Sequence, residues 1–221
     1  PLPSIAAFIC PMSHGVCRPV ADSVLGQTLE GPEDIARIAA AVAYNSMDLL
    51  QAPHTFSGVE MALWDILGKM RSEPVWRLLG YAKSHPKTPY ASVLFGDTAQ
   101  ETLDRARDAR KRSFRAAKFG WGPIGRGSVE ADAEHFVAAR EGLGQDGILL
   151  VDTGQIFIED VERAAARLPA MEKANVLWFE EPFHASALEA YGALARRSPK
   201  VRLAGGEGAH NESMARQLID Y

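Results

Sequence analysis

From residue 89 onward one alternation governs the chain: a short apolar run, then an amphipathic helical stretch, recurring about every 25–30 residues. The runs are residues 90–95, 116–119, 147–151, 176–179 and 201–204. The helical stretches are one opened by the capping pair Thr98/Glu101, then 129–141, then 159–168, one opened by Ser186/Glu189, and finally 211–220. Five consecutive βα units of this kind predict a parallel α/β sheet or barrel. A complete, open doubly wound sheet is the alternative. No GxGxxG or GxxxxGK[ST] follows any run, which disfavours a nucleotide site.

The chain ahead of this alternation has a different texture. Residues 1–30 show no period, and their prolines, Cys10, Cys17, His14 and Gly15 read as loop or edge structure. Pro32, Glu33 and Asp34 suit the first turn of a helix over 32–47, with an apolar stripe of Ile35, Ile38, Ala39 and Val42. A stronger helix is expected over 57–71, opened by a Ser57/Glu60 capping box and carrying Val59, Ala62, Leu63, Ile66 and Leu67 on one face. A short helix over 74–79 ends at Gly80. The sequence therefore divides into a mainly helical part, 1–87, and a βα part, 88–221.

Composition narrows the function. A net charge of −4 gives no electrostatic case for nucleic acid or an anionic membrane surface. No apolar run approaches the roughly 20 residues of a membrane-spanning helix. The first residues, Pro1-Leu2-Pro3-Ser4, lack the features of a signal peptide. With two cysteines and no CxxC motif, reduced thiols in a cytoplasmic protein are expected.

Chemistry concentrates where the runs end. The second ends in Lys118-Phe119-Gly120-Trp121, the third in Asp152-Thr153-Gly154-Gln155, the fourth in Glu180-Glu181-Pro182, and the fifth in Gly206-Glu207-Gly208-Ala209-His210. The C-terminal lip of a parallel strand is where α/β folds place their reactive groups. Neighbouring strands lie about 4.8 Å apart, so three carboxylates on successive strands can converge. Unpaired, they would repel one another. A hard divalent cation relieves that repulsion, and oxygen-only ligands favour Mg²⁺ or Mn²⁺ over Zn²⁺. Taken singly, each acid is more commonly a helix cap or a solvated loop residue; the order Lys, Asp, Glu, Glu in register carries the argument. The histidines at 14, 54, 85, 135 and 184 read as structural or solvent-facing.

These motifs, with the helix Ser57-Gly58-Val59-Glu60-Met61-Ala62-Leu63-Trp64-Asp65-Ile66-Leu67-Gly68-Lys69, resemble the mandelate racemase/muconate lactonizing branch of the enolase superfamily. The resemblance runs from about residue 30 to the end. It implies a partial (β/α)7β TIM-like barrel of five βα units, preceded by the helical part of an α+β capping domain. It implies Mg²⁺, with Mn²⁺ as substitute, held by Asp152, Glu180 and Glu207, with Lys118 as a catalytic residue. Glu181 then stands behind the ligands, bracing Lys118 or a neighbouring acid. Gln155, Trp121 and His210 fall where substrate contacts would lie, and the loop over residues 10–15 occupies the place of a specificity loop. A closed barrel needs eight strands, so the resemblance also implies a fragment lacking part of the proton-transfer machinery and inactive by itself.

One departure carries information. The family's second-strand motif is commonly Lys-x-Lys, whereas here it is Lys118-Phe119-Gly120. Positions 118 and 120 share a strand face, so Gly120 offers no second base. The expected activity is Mg²⁺-dependent abstraction of the α-proton of a small carboxylate substrate through an enediolate, leading to dehydration of a sugar acid. A racemase or epimerase is the alternative, and a non-catalytic fragment the alternative of another class. The expected partners are a small-molecule acid and, in the full-length protein, further copies of itself.

Overall fold

The computed structural model describes residues 17–209 and 211–220. The chain divides after Pro86 into two compact units.

The first unit, among the described residues, is helical: α1 (Val20–Val24), α2 (Pro32–Asn45), α3 (Ala52–Arg71) and α4 (Val75–Leu78). Its small core joins Val20 of α1, Ile38 and Val42 of α2, and Ala52 and Phe56 of α3. Helix α2 starts where the sequence predicts, with Pro32 in its first turn and the Asp34 carboxylate accepting the Gly31 N–H at 3.2 Å. Helix α3 corrects the expectation. It begins at Ala52 rather than Ser57, with Pro53 in its first turn and no capping box. The buried Ala52 and Phe56 continue the apolar stripe backwards, and the Glu60 carboxylate accepts the Trp64 indole N–H instead of closing a cap. Of the expected stripe, Leu67 is fully buried, while Ile66 is exposed.

The second unit carries β1 (Tyr90–Leu94), α5 (Ala99–Lys111), β2 (Ala116–Gly120), α6 (Val129–Leu143), β3 (Ile148–Asp152), α7 (Val161–Ala165), α8 (Leu168–Lys173), β4 (Val176–Glu180), α9 (Leu188–Arg197), β5 (Arg202–Ala204) and α10 (Glu212–Asp220). All strand pairs are parallel, and the spatial order is β1-β2-β3-β4-β5. A doubly wound sheet reverses its order at a switch point; this one never reverses. One core gathers Ala91, Ala117, Phe119, Leu149, Val151 and Phe179 from alternate strand positions together with residues of helices α5 to α9. The helices therefore cover one face of the sheet, and the opposite face carries Lys118, Asp152 and Glu180. That is the wall of a TIM-type barrel.

Two helical expectations in this unit need correction. The stretch 159–168 is two short helices, because Pro169 interrupts the ladder and the buried Arg167 turns to pair with buried Asp132 at 2.9 Å. The helix at 188 has Ala187 as N-cap and no side-chain cap, so the Ser186/Glu189 pair does not open it. At α5 the Thr98 hydroxyl accepts the Glu101 N–H as predicted, while the Glu101 carboxylate accepts the N–H of Asp97 rather than that of Thr98.

Candidate active site at the strand ends

Strand register builds the site. Gly120, Asp152 and Glu180 pair across β2, β3 and β4, with Lys118 one layer below beside Leu150. The β3–β4 ladder pairs Leu149 with Val176 but Leu150 with Trp178, skipping Leu177. Val176 and Phe179, three apart, therefore both join the helix-side core. Trp178 and Glu180 are left to the opposite face. An extra residue of this kind re-aims the side chains around it.

On that face the Lys118 ammonium lies between two carboxylates, 2.9 Å from Asp152 Oδ2 and 2.5 Å from Glu180 Oε1. The remaining oxygens are also engaged. Asp152 Oδ1 accepts the Gly154 N–H at 3.0 Å, and Glu180 Oε2 accepts the Trp178 indole N–H at 3.0 Å. The Tyr90 ring lies 5.7 Å from Lys118 Nζ and meets Trp178 edge to face. Burial opposes the charge on Lys118, but hydrogen bonds and charge from Glu180 and Asp152 outweigh it and push its pKa above the usual lysine value.

The turns beyond the strands adopt left-handed backbone at non-glycine residues: Trp121 at φ 55°, Gln155 at φ 68° and Glu181 at φ 42°. Such conformations persist only where the surroundings enforce them. Here the interstrand ladder continues into the turns, through Trp121 N–H to Asp152 O and Glu181 N–H to Ala204 O. Gly154 is constrained by its neighbour as well as by its φ of 52°, since a Cβ there would lie 2.6 Å from the Trp121 indole nitrogen. Gly120 differs. A Cβ at that position would meet Asp152 at an ordinary 3.7 Å, so there is room at the position where a second lysine would stand.

A cavity of about 300 Å³ opens over this cluster, lined by Ser92, Lys118, Gly120, Trp121, Asp152 and Glu207 among others. A larger one, of about 570 Å³ between α9, β5 and α10, is mainly apolar and has no acidic residue in its lining. The structure thus brings Lys118, Asp152 and Glu180 into direct contact and sets Trp121 and Glu207 on the rim of the same cavity. Glu207 is exposed, beyond two glycines. Among the described residues, no group of three or more His, Cys, Asp or Glu side chains is close enough to hold a metal ion. The donor set nevertheless suits a hard cation: two carboxylates already share the Lys118 ammonium, and the third acid lines the same space.

Glu181 is buried at 4% exposure and does not touch Lys118. Its Oε2 accepts the Gln155 side-chain N–H at 2.8 Å, and its Oε1 accepts the backbone N–H groups of Gly206 at 3.2 Å and Glu207 at 2.9 Å. Gln155, expected at the substrate, spends its amide on Glu181. His210 and the loop over residues 10–15 lie outside the described residues. Tyr90 and Trp178 were missed by sequence reasoning. The available signal was spacing, since Trp178 sits two residues before Glu180 and shares its face.

Comparison with known proteins follows the same division. Residues 12–80 match the model for the mandelate racemase / muconate lactonizing enzyme N-terminal domain, and residues 101–221 the model for the enolase C-terminal domain-like family. Arabinonate dehydratase of Saccharolobus solfataricus is 31% identical over 173 residues, covering 74% of this chain and 44% of that protein. A solved structure described as a predicted mandelate racemase from Rhodobacter sphaeroides superposes with TM-score 0.89 at 70% identity, over 100% of this chain and 56% of that one. An enolase from Bradyrhizobium, complexed with magnesium and mandelic acid, superposes with TM-score 0.76 at 25% identity, over 91% of this chain and 54% of its own. The chain spans about half the length of these relatives.

Proposed function

The chain belongs to the mandelate racemase / muconate lactonizing enzyme family of the enolase superfamily, and from that premise we propose that the complete protein removes the α-proton of a sugar acid and dehydrates it. The observation that carries the reading is the single cation shared by Asp152 and Glu180 at the ends of adjacent strands, beside a cavity of small-molecule size. The acid-only donor set and the magnesium-bound relative support Mg²⁺ as the resident ion, held by Asp152, Glu180 and Glu207. When bound, that ion supplies Lewis-acid charge at the substrate carboxylate.

The chain's own residues account for the rest. Lys118 places a positive charge where negative charge develops on the substrate carboxylate as the α C–H bond breaks. Trp178 fixes the second oxygen of Glu180, and the Gly154 N–H fixes that of Asp152, so neither acid is free to swing. Trp121, 61% exposed, forms a wall of the cavity. Gly120 supplies no second base on this face, which favours chemistry with one base over inversion through two. In the dehydration the α-proton passes to one general base, the electron pair of the broken C–H bond expels the β-hydroxyl group, which takes a proton from a general acid and leaves as water, and the enol product rearranges to a 2-keto acid.

The test is a screen of sugar acids with the complete protein and Mg²⁺, read as 2-keto acid release. At least one acid should react, and Glu180→Gln should abolish the reaction. Recovered substrate of inverted configuration carrying solvent deuterium would instead identify a racemase or epimerase.

A further inference from the structure

Two glycines precede Glu207, and Gly206 sits at φ 119°. A Gly-Gly segment has more backbone freedom than any other dipeptide, so Glu207 cannot hold one position unless something outside the segment fixes it. The Glu181 carboxylate makes that contact, accepting the N–H of Gly206 and of Glu207 with one oxygen. Its other oxygen is held by the Gln155 amide. Its own backbone is stapled on both sides, N–H to Ala204 O and C=O from Gln155 N–H. The residue is over nine-tenths buried, does not line the cavity, and has no oxygen left without a donor. The Tyr191 ring closes the far side, 3.5 Å from where a Cβ on Gly205 would lie.

We infer that Glu181 is a positioning residue: with Gln155 behind it, its carboxylate sets the place of Glu207 through the backbone of the β5 turn. This rests on the reading of Asp152, Glu180 and Glu207 as cation ligands, and it separates the two neighbouring glutamates. Glu180 holds the Lys118 ammonium that lines the cavity, while Glu181 bonds instead to the strand tip that carries the third acid. Side chains that orient ligands from behind are worth about 10–100-fold in metal affinity.

The experiment titrates Mn²⁺ into the complete protein, following free Mn²⁺ by its electron paramagnetic resonance signal, alongside amide hydrogen exchange at residues 206 and 207. Glu181→Gln keeps the shape but replaces the carboxylate with a neutral amide, so the Gly206 and Glu207 N–H groups lose their charged acceptor and the Gln155 amide must turn over to keep a partner. It should weaken Mn²⁺ binding by about 10-fold or more and speed exchange at both amides. The paired change Gln155→Glu with Glu181→Gln reverses donor and acceptor while leaving an oxygen for the two N–H groups, and it should restore wild-type binding. A role in stability alone would not produce that rescue. Unchanged affinity in Glu181→Gln overturns the inference, as does a folded paired variant that still binds weakly. If Glu181→Gln does not fold, the paired variant and the wild-type amides decide; fast exchange at both amides in the wild type overturns it without any variant. A wild type that binds no Mn²⁺ overturns the ligand reading itself, which a change in Glu181 alone does not touch.

Discussion

At the scale of single residues the site is a balance of three charges. Lys118 holds Asp152 and Glu180 together, and replacing it leaves two carboxylates facing one another without a cation. Lys118→Met should lower kcat by about 10²–10³ while Mn²⁺ binding is retained, which steady-state kinetics and titration separate. Gly154→Ala adds a Cβ into the Trp121 indole and forces alanine into left-handed backbone. It should cost about 1–2 kcal/mol in chemical denaturation and change the tryptophan fluorescence. Lys118, Asp152 and Glu180 were legible in the sequence because an acid or lysine at the end of an apolar run is conspicuous. Glu181 was legible as an acid but not as to its direction, because its left-handed backbone turns it away from the alternation that a strand obeys. Trp178 and Tyr90 read as ordinary core residues, since nothing in an apolar run distinguishes a ring that carries a hydrogen bond from one that only packs.

At the scale of elements, polar contacts buried between helices pin the turns that shape the site. Asp132 of α6 accepts both Arg167 Nε and the N–H of Gly125 in the β2–α6 turn, with each side chain at most 5% exposed. Arg167→Leu should cost about 3–5 kcal/mol by urea denaturation, because it leaves a buried carboxylate without its partner. The Asp132→Leu/Arg167→Leu double variant should recover part of that loss. Thr102 of α5 links the Gly96 N–H at the end of β1 to the buried His135 of α6. Burial lowers the His135 pKa despite Asp132, Glu134 and Glu101 nearby. The unfolded chain therefore binds the extra proton more readily. The contribution of His135 is complete above its unfolded pKa of about 6.5 and is lost as pH falls through its lower folded value. The melting temperature should drop on acidification from about pH 7 to 5, and His135→Gln should flatten that dependence. Strand and helix existence was readable from period except at α1, which lies in a stretch read as loop or edge, and at the break between α7 and α8. Helix starts were readable at Pro32 and Thr98 but not at α3 and α9, because hydroxyl–glutamate pairs such as Ser57/Glu60 and Ser186/Glu189 also occur inside helices and loops. The skipped Leu177 left no mark in the sequence, since apolar residues precede and follow it.

At the scale of the whole molecule, the sequential strand order and one-sided helix cover follow from five βα units that each turn the same way. The sequence carried that pattern openly, because each unit must bury an apolar face against the next. It did not carry the separation of Glu207 from the other two acids, which depends on how the Gly205–Gly206 turn is held. The central claim is that Asp152, Glu180 and Glu207 form a divalent-cation site serving α-proton removal. The most direct measurement is turnover by the complete protein on the sugar acid identified by screening, before and after EDTA and again after Mg²⁺ is restored. The account predicts 2-keto acid release that stops with the chelator and returns with the ion; release that continues undiminished through EDTA would contradict it.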